Sequence, residues 1–217
     1  MQKKHTFVPM HEINNSNNRY FLLNKPYNMV SQFVSSHKVP LLGNINFDFP
    51  EGTHAIGRLD SPSEGLLILT TDKTVTRKLF LAKEAHTRSY LVMVQHKMTQ
   101  ESFLKLQAGI NIPINNTEFY LAKPQSVKII TKPTLLYKYA TDPREIYPHT
   151  WLLITLTEGK FRQVRKMVMA VKHRCLRLIR LNISNINLGD IEPGAVKEID
   201  GEKFFSLLNY SGDIACN

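Results

Sequence analysis

The chain has 217 residues, 42% of them hydrophobic and 21% charged, which suits an ordinary globular protein with a sizeable core. Two cysteines, Cys175 and Cys216, and eight scattered histidines exclude a disulfide framework and a metal cluster; no apolar run nears the roughly 18 residues of a membrane span, and Met1 to Asn18 lacks the core of a signal peptide. A cytoplasmic protein is therefore expected, and Lys and Arg number 28 against 18 Asp and Glu, a net +10 expected of a protein that meets phosphates.

Met1 to Asn18 is polar and closes on Asn14-Asn15-Ser16-Asn17-Asn18, so a flexible arm is expected there. Tyr20 to Leu23 starts a strand that stops at Lys25-Pro26, where proline offers no ladder donor, and Met29 to Val34 is expected to resume one. Ser35 to Gly52, with Pro40, Gly43 and Pro50, reads as loop. His54 to Gly57 reads as a short strand and Leu66 to Thr70 as a buried one. Between them Pro62 extends Ser61 and Gly65 permits positive φ, so Asp60 is held on a tight connection.

Asp72 is expected to cap a helix over Lys73 to Leu81. Tyr90 to Val94 is the next apolar run, and Thr99 to Ala108 a helix stopped by Gly109. Asn111 to Thr150, carrying five prolines, is loop-rich with one strand at Ser126 to Ile130. Trp151 to Leu156 alternates as a strand, and Phe161, Val164, Val168 and Val171 recur at helical spacing. Leu176 to Ile183 reads as a strand and Glu202 to Leu208 as a last helix. Strands outnumber helices without a βαβ rhythm, so the expected class is α+β with an antiparallel or mixed sheet.

The charge is concentrated. Lys160, Arg162, Arg165, Lys166, Lys172, Arg174, Arg177 and Arg180 fall in one stretch that holds no acid, whereas a solvated helix face mixes signs. Arg58 and Asp60 lie two apart on an extended segment and can share a face; an arbitrary pair of this kind is a surface ion pair worth about 0 to 1 kcal/mol. A carboxylate pinned by Pro and Gly between apolar strands is placed differently. To act as a nucleophile it must stay ionised, which demands a nearby cation to offset desolvation.

Gly57-Arg58-Leu59-Asp60 followed by Ser63-Glu64-Gly65-Leu66-Leu67-Ile68-Leu69-Thr70 resembles the signature of the ribosomal pseudouridine synthases of the RsuA and RluB/E/F group. Arg88-Ser89-Tyr90-Leu91-Val92 resembles that group's second motif and Glu158 to Met167 its third, in order, with Asn24-Lys25-Pro26-Tyr27 and Leu176-Arg177-Leu178-Ile179-Arg180 also fitting. The resemblance spans about Tyr20 to Ile199 and is greatest to the RluE type. Arg88 stands for a usual Lys, Phe161 for a usual polar residue, and Lys73 follows Asp72 where Gly is common.

The resemblance implies a bent, mainly antiparallel mixed sheet in two halves, flanking helices and a central cleft, forming one catalytic domain over residues 19–217 without a separate N-terminal RNA-binding module. It implies that Asp60 attacks a flipped uridine, whose uracil detaches from ribose, rotates and rejoins through its fifth ring carbon, with no cofactor. Tyr90 would lie against the base and assist proton transfer, and Arg165 would pair with Asp60. Arg58 would fill the space left by the base or form a structural ion pair. Lys25, Lys160, Arg162, Lys166, Lys172, Arg177 and Arg180 would contact RNA, most readily 23S rRNA or an assembling particle, with the protein a monomer. The competing readings are a non-catalytic RNA binder, a pseudouridine synthase acting on another rRNA or a tRNA, and a glycoside hydrolase, which needs a second acid near Asp60; Glu64 is the near candidate.

Overall fold

The computed structural model describes residues 18–77, 86–133 and 143–208. The expected N-terminal arm and the end of the helix after Asp72 lie outside these residues. In chain order the elements are strands β1 (Tyr20–Lys25), β2 (His54–Ile56), β3 (Glu64–Thr70) and β4 (Arg88–Gln95), then helix α1 (Gln100–Ala108). Strands β5 (Ile110–Pro113), β6 (Phe119–Ala122), β7 (Ser126–Ile130) and β8 (His149–Leu156) lead to helix α2 (Gln163–Ala170). Strands β9 (Cys175–Ile183), β10 (Ile186–Asn187) and β11 (Val196–Ile199) and helix α3 (Gly201–Leu207) complete the order.

One mixed sheet runs β11-β1-β3-β9-β4-β8-β7, with β2 added to β3 and β10 to β9. Its pairings are antiparallel except β3 with β9, where Glu64 opposes Ile179 and Gly65 opposes Arg180. This short parallel join links a half built on β1 and β3 to a half built on β9, β4 and β8, and with so few helices the class is α+β, as the sequence predicts.

The apolar runs are buried because the sheet is covered on both faces. Leu66 and Ile68 of β3 pack on the same face as Leu91 and Met93 of β4, together with Tyr20, Leu22, Trp151, Ile179 and Phe204 of α3, so one cluster spans both halves. On the other face packing separates. Phe21, Leu23, Leu67 and Leu69 meet Met29, Leu42 and Ile45, while Tyr90, Val92, Val94, Leu152, Ile154 and Leu178 meet Leu106 of α1 and Val164, Met167 and Val168 of α2. Each such Leu, Ile or Phe contributes roughly 1.5 to 3 kcal/mol by leaving water. A cleft opens where the two clusters part.

Three expectations change. Met29 to Val34 is not a strand: Val30 N donates to Pro40 O at 2.9 Å and Leu42 N to Gln32 O at 2.9 Å, so its hydrogen bonds close a loop rather than a ladder. The 111–150 region contains the β5–β6 hairpin in addition to β7. Phe161 is not on the apolar face of α2, because Arg162 adopts left-handed φ of 53° and the helix begins only at Gln163. Asp72, buried, does accept hydrogen bonds from Thr74 N and Thr74 Oγ1 at 2.8 and 2.7 Å, as a capping residue should.

Candidate active site

Asp60 lies on the loop between β2 and β3 and lines a cavity of about 600 Å³ with Arg58, Ser31, Gln32, Arg88 and Tyr90. The loop makes a tight turn in which Ser63 N donates to Asp60 O at 2.9 Å. Its other carbonyls are held from outside. Arg180 Nη2 donates to Gly57 O at 2.9 Å, Ser31 Oγ to Leu59 O at 2.8 Å, Lys25 Nζ to Ser61 O at 3.2 Å and Arg165 Nη2 to Pro62 O at 2.8 Å. Leu59 N donates back to Ser31 Oγ at 3.1 Å. Charged donors make stronger bonds than neutral ones, so the residues flanking Asp60 are fixed by three cations and a hydroxyl while Asp60 itself lines the cleft.

This arrangement corrects the expected pairing of Arg165 with Asp60. Arg165 instead places Nη2 on Pro62 O and within 3.3 Å of Ser63 Oγ, and Nη1 on Cys175 O at 3.4 Å. Among the described residues no ion pair joins Asp60 to Arg165 or to Arg58. The Glu64 and Asp60 carboxylates both favour the charged form of Lys25, Glu64 the more strongly.

Lys25 is 0% exposed and also donates to Pro26 O and Met29 O, both at 2.8 Å, so the expected role as an RNA contact is corrected to that of an internal strut. Burial, reinforced by Arg180, pulls its pKa from 10.5 down to about 8. With the folded value below the unfolded one, the contribution to stability is complete above pH 10.5 and is lost as pH falls through about 8. Lys25→Met removes this titration. Thermal melts between those pH values should show wild type gaining stability relative to Lys25→Met as pH rises; a constant difference would contradict the assignment.

The other predicted cations divide by the faces they occupy. Arg177 grips Glu64 with two 2.8 Å bonds, both side chains mostly buried, which corrects its RNA role and removes Glu64 as a second acid. Arg180 is 2% exposed, with Nε on Leu66 O at 2.8 Å and Nη2 on Gly57 O, so it too is a strut rather than a phosphate contact. Both lie on β9, a central strand covered on two faces. Lys160 and Arg162 are exposed and line the cleft, Lys172 is exposed beyond α2, and Lys166 donates to Pro113 O at 2.7 Å. Arg58 is exposed on the cleft wall.

Tyr90, 8% exposed on β4, lines the same cavity and stands opposite Arg180 of β9 in the antiparallel register. Burial lowers the Arg180 pKa, and Tyr90 opposes that shift. Ser31 was not legible as a site residue: a lone serine in an irregular loop carries no spacing signal, and only the fold brings it to Leu59. An anionic carboxylate, an aromatic hydroxyl and exposed cations at one cleft can admit an extruded base, hold it against a ring and attack it.

The family model described as RNA pseudouridylate synthase matches residues 19–170. The chain is 34% identical over 187 residues to the ribosomal large subunit pseudouridine synthase E of Vibrio parahaemolyticus, covering 84% of this chain and 74% of that one. It is 34% identical over 176 residues to the protein of the same name from Xanthomonas axonopodis, covering 79% and 89%. A crystal structure of a pseudouridylate synthase shares the fold with a TM-score of 0.66 at 24% identity, covering 88% of this chain and 74% of that one. The matched region contains the Asp60 loop, Tyr90 and the turn before α2, and the chain belongs to the RNA pseudouridylate synthase family.

Proposed function

We propose that this chain isomerises uridine to pseudouridine in large-subunit ribosomal RNA, with Asp60 as the nucleophile. The observation that carries the proposal is Asp60 in the cleft lining, on a loop whose flanking carbonyls are held by Lys25, Ser31, Arg165 and Arg180. The names of the relatives from Vibrio and Xanthomonas support the large subunit as the source of substrate.

In the reaction the bond between uracil N1 and ribose C1′ breaks, the base turns, C5 bonds to C1′, the C5 proton leaves and N1 takes up a proton. Substrate and product are isomers, so the scheme calls for no redox partner or group donor. Asp60 supplies the attacking carboxylate, and its bond to the substrate breaks again before the product leaves. Tyr90 faces the base with its ring and offers a hydroxyl to the moving proton. No described helix is long and apolar enough to cross a membrane. A ribosomal RNA substrate supports action in the cytoplasm.

Tritium release from transcripts labelled at uridine C5 tests the proposal. Large-subunit transcripts should release tritium with wild type, and small-subunit transcripts should not; release from neither would contradict it. Tyr90→Phe should keep RNA affinity and slow the single-turnover rate by about 10²-fold or more, the range of a lost proton-transfer group. An unchanged rate would make Tyr90 a core residue only.

A further inference from the structure

We propose that Phe161 is a stacking platform for the base next to the target uridine on the RNA strand. The inference rests on the pseudouridine synthase reading and adds to it a residue that positions the substrate. Phe161 is 73% exposed, whereas Val164, Met167 and Val168 of α2 are buried. It lines the same cavity as Asp60 and Tyr90. Tyr90 is almost wholly buried, so the extruded uracil belongs against Tyr90, and the exposed ring is left for a base that stays on the strand.

The turn that presents the ring is fixed. Glu158 accepts hydrogen bonds from the Tyr120 hydroxyl and from Gln163 Nε2, the latter at 2.6 Å. Gln163 Oε1 accepts from Lys160 N at 2.9 Å, and Gln163 N donates to Lys160 O at 3.1 Å. Arg162 then takes the left-handed conformation that keeps Phe161 off the helix. A side chain held this way loses little conformational freedom when a base arrives.

The charges around the ring fit a nucleotide. Lys166 Nζ sits over one face of the Phe161 ring, 5.4 Å from its centroid, and is tethered to Pro113 O, which leaves the other face for a base. Lys160 Nζ lies 5.0 Å from the Tyr120 centroid, and Arg162 is exposed beside it. An aromatic face bordered by cations is how proteins hold single-stranded RNA, with the base on the ring and phosphates on the ammonium groups.

The test uses the full chain, a single-stranded RNA oligonucleotide of mixed sequence, and the same oligonucleotide made abasic. Trp151 is the chain's one tryptophan and is 3% exposed, so in Phe161→Trp the added indole is the solvent-facing fluorophore. The base-bearing RNA should quench it and the abasic RNA should not. Phe161→Trp should bind within about twofold of wild type, while Phe161→Leu and Phe161→Ala should bind on the order of tenfold more weakly, because an aliphatic side chain offers no stacking face. On large-subunit transcripts these two should lose more in affinity than in single-turnover rate at saturating RNA. Wild-type affinity in Phe161→Leu, or equal quenching by both oligonucleotides, would overturn the stacking role. Absence of pseudouridine formation by wild type would instead overturn the reaction reading, while the fluorescence still decides whether a base sits on this ring.

Discussion

Asp60→Asn should fold, bind RNA and form no pseudouridine. The amide has the shape of the carboxylate, and the hydrogen bonds around it run to backbone carbonyls and to Ser63 Oγ, none of which the substitution touches. The side chain is half-buried and in no ion pair among the described residues, so stability should change by less than about 1 kcal/mol. The rate should fall on the order of 10⁴-fold or more, the scale of losing a covalent nucleophile. Single-turnover tritium release beside a thermal melt checks both halves, and substantial release by the variant would assign the chemistry elsewhere.

Gly65→Ala should be the most damaging change to the fold. Gly65 has φ of 95°, and a Cβ there would stand 2.3 Å from Arg180 O, 2.7 Å from Arg180 N and 2.9 Å from Ile179 Cγ2. Two of these atoms are backbone and cannot step aside. The glycine is also half of the parallel register that joins β3 to β9. Strain at this φ and overpacking each cost about 1 to 3 kcal/mol, so a loss of about 2 to 6 kcal/mol is expected, a large part of the stability of a typical domain. Because Arg180 carries the Gly57 carbonyl, the Asp60 loop should loosen as well. Denaturant unfolding measures the loss; a variant as stable as wild type would show that the two halves are joined differently.

The sequence made the strands legible where apolar runs were long, because β1, β3 and β4 lie in the middle of the sheet and are covered on both faces. It made Asp60 legible because Pro62 and Gly65 mark a turn between two such runs. The β5–β6 hairpin was hidden by Asn115, Asn116 and Pro113, residues that signal loop in isolation and here form a hairpin end closed by Ile114 N on Glu118 O at 2.9 Å. Charge was legible as a total and not by destination. Lys25, Arg165, Arg177 and Arg180 look the same in sequence as Lys160 and Lys172, but which of them meet carbonyls, which meet Glu64 and which meet water depends on the strand crossing at β3 and β9.

The most direct measurement is a map of pseudouridines in ribosomal RNA from cells that carry the gene, cells that lack it, and cells that lack it but express either wild type or Asp60→Asn. The account predicts that a large-subunit site disappears with the gene, returns with wild type and stays absent with Asp60→Asn. Return of the site with Asp60→Asn, or identical maps with and without the gene, would contradict it.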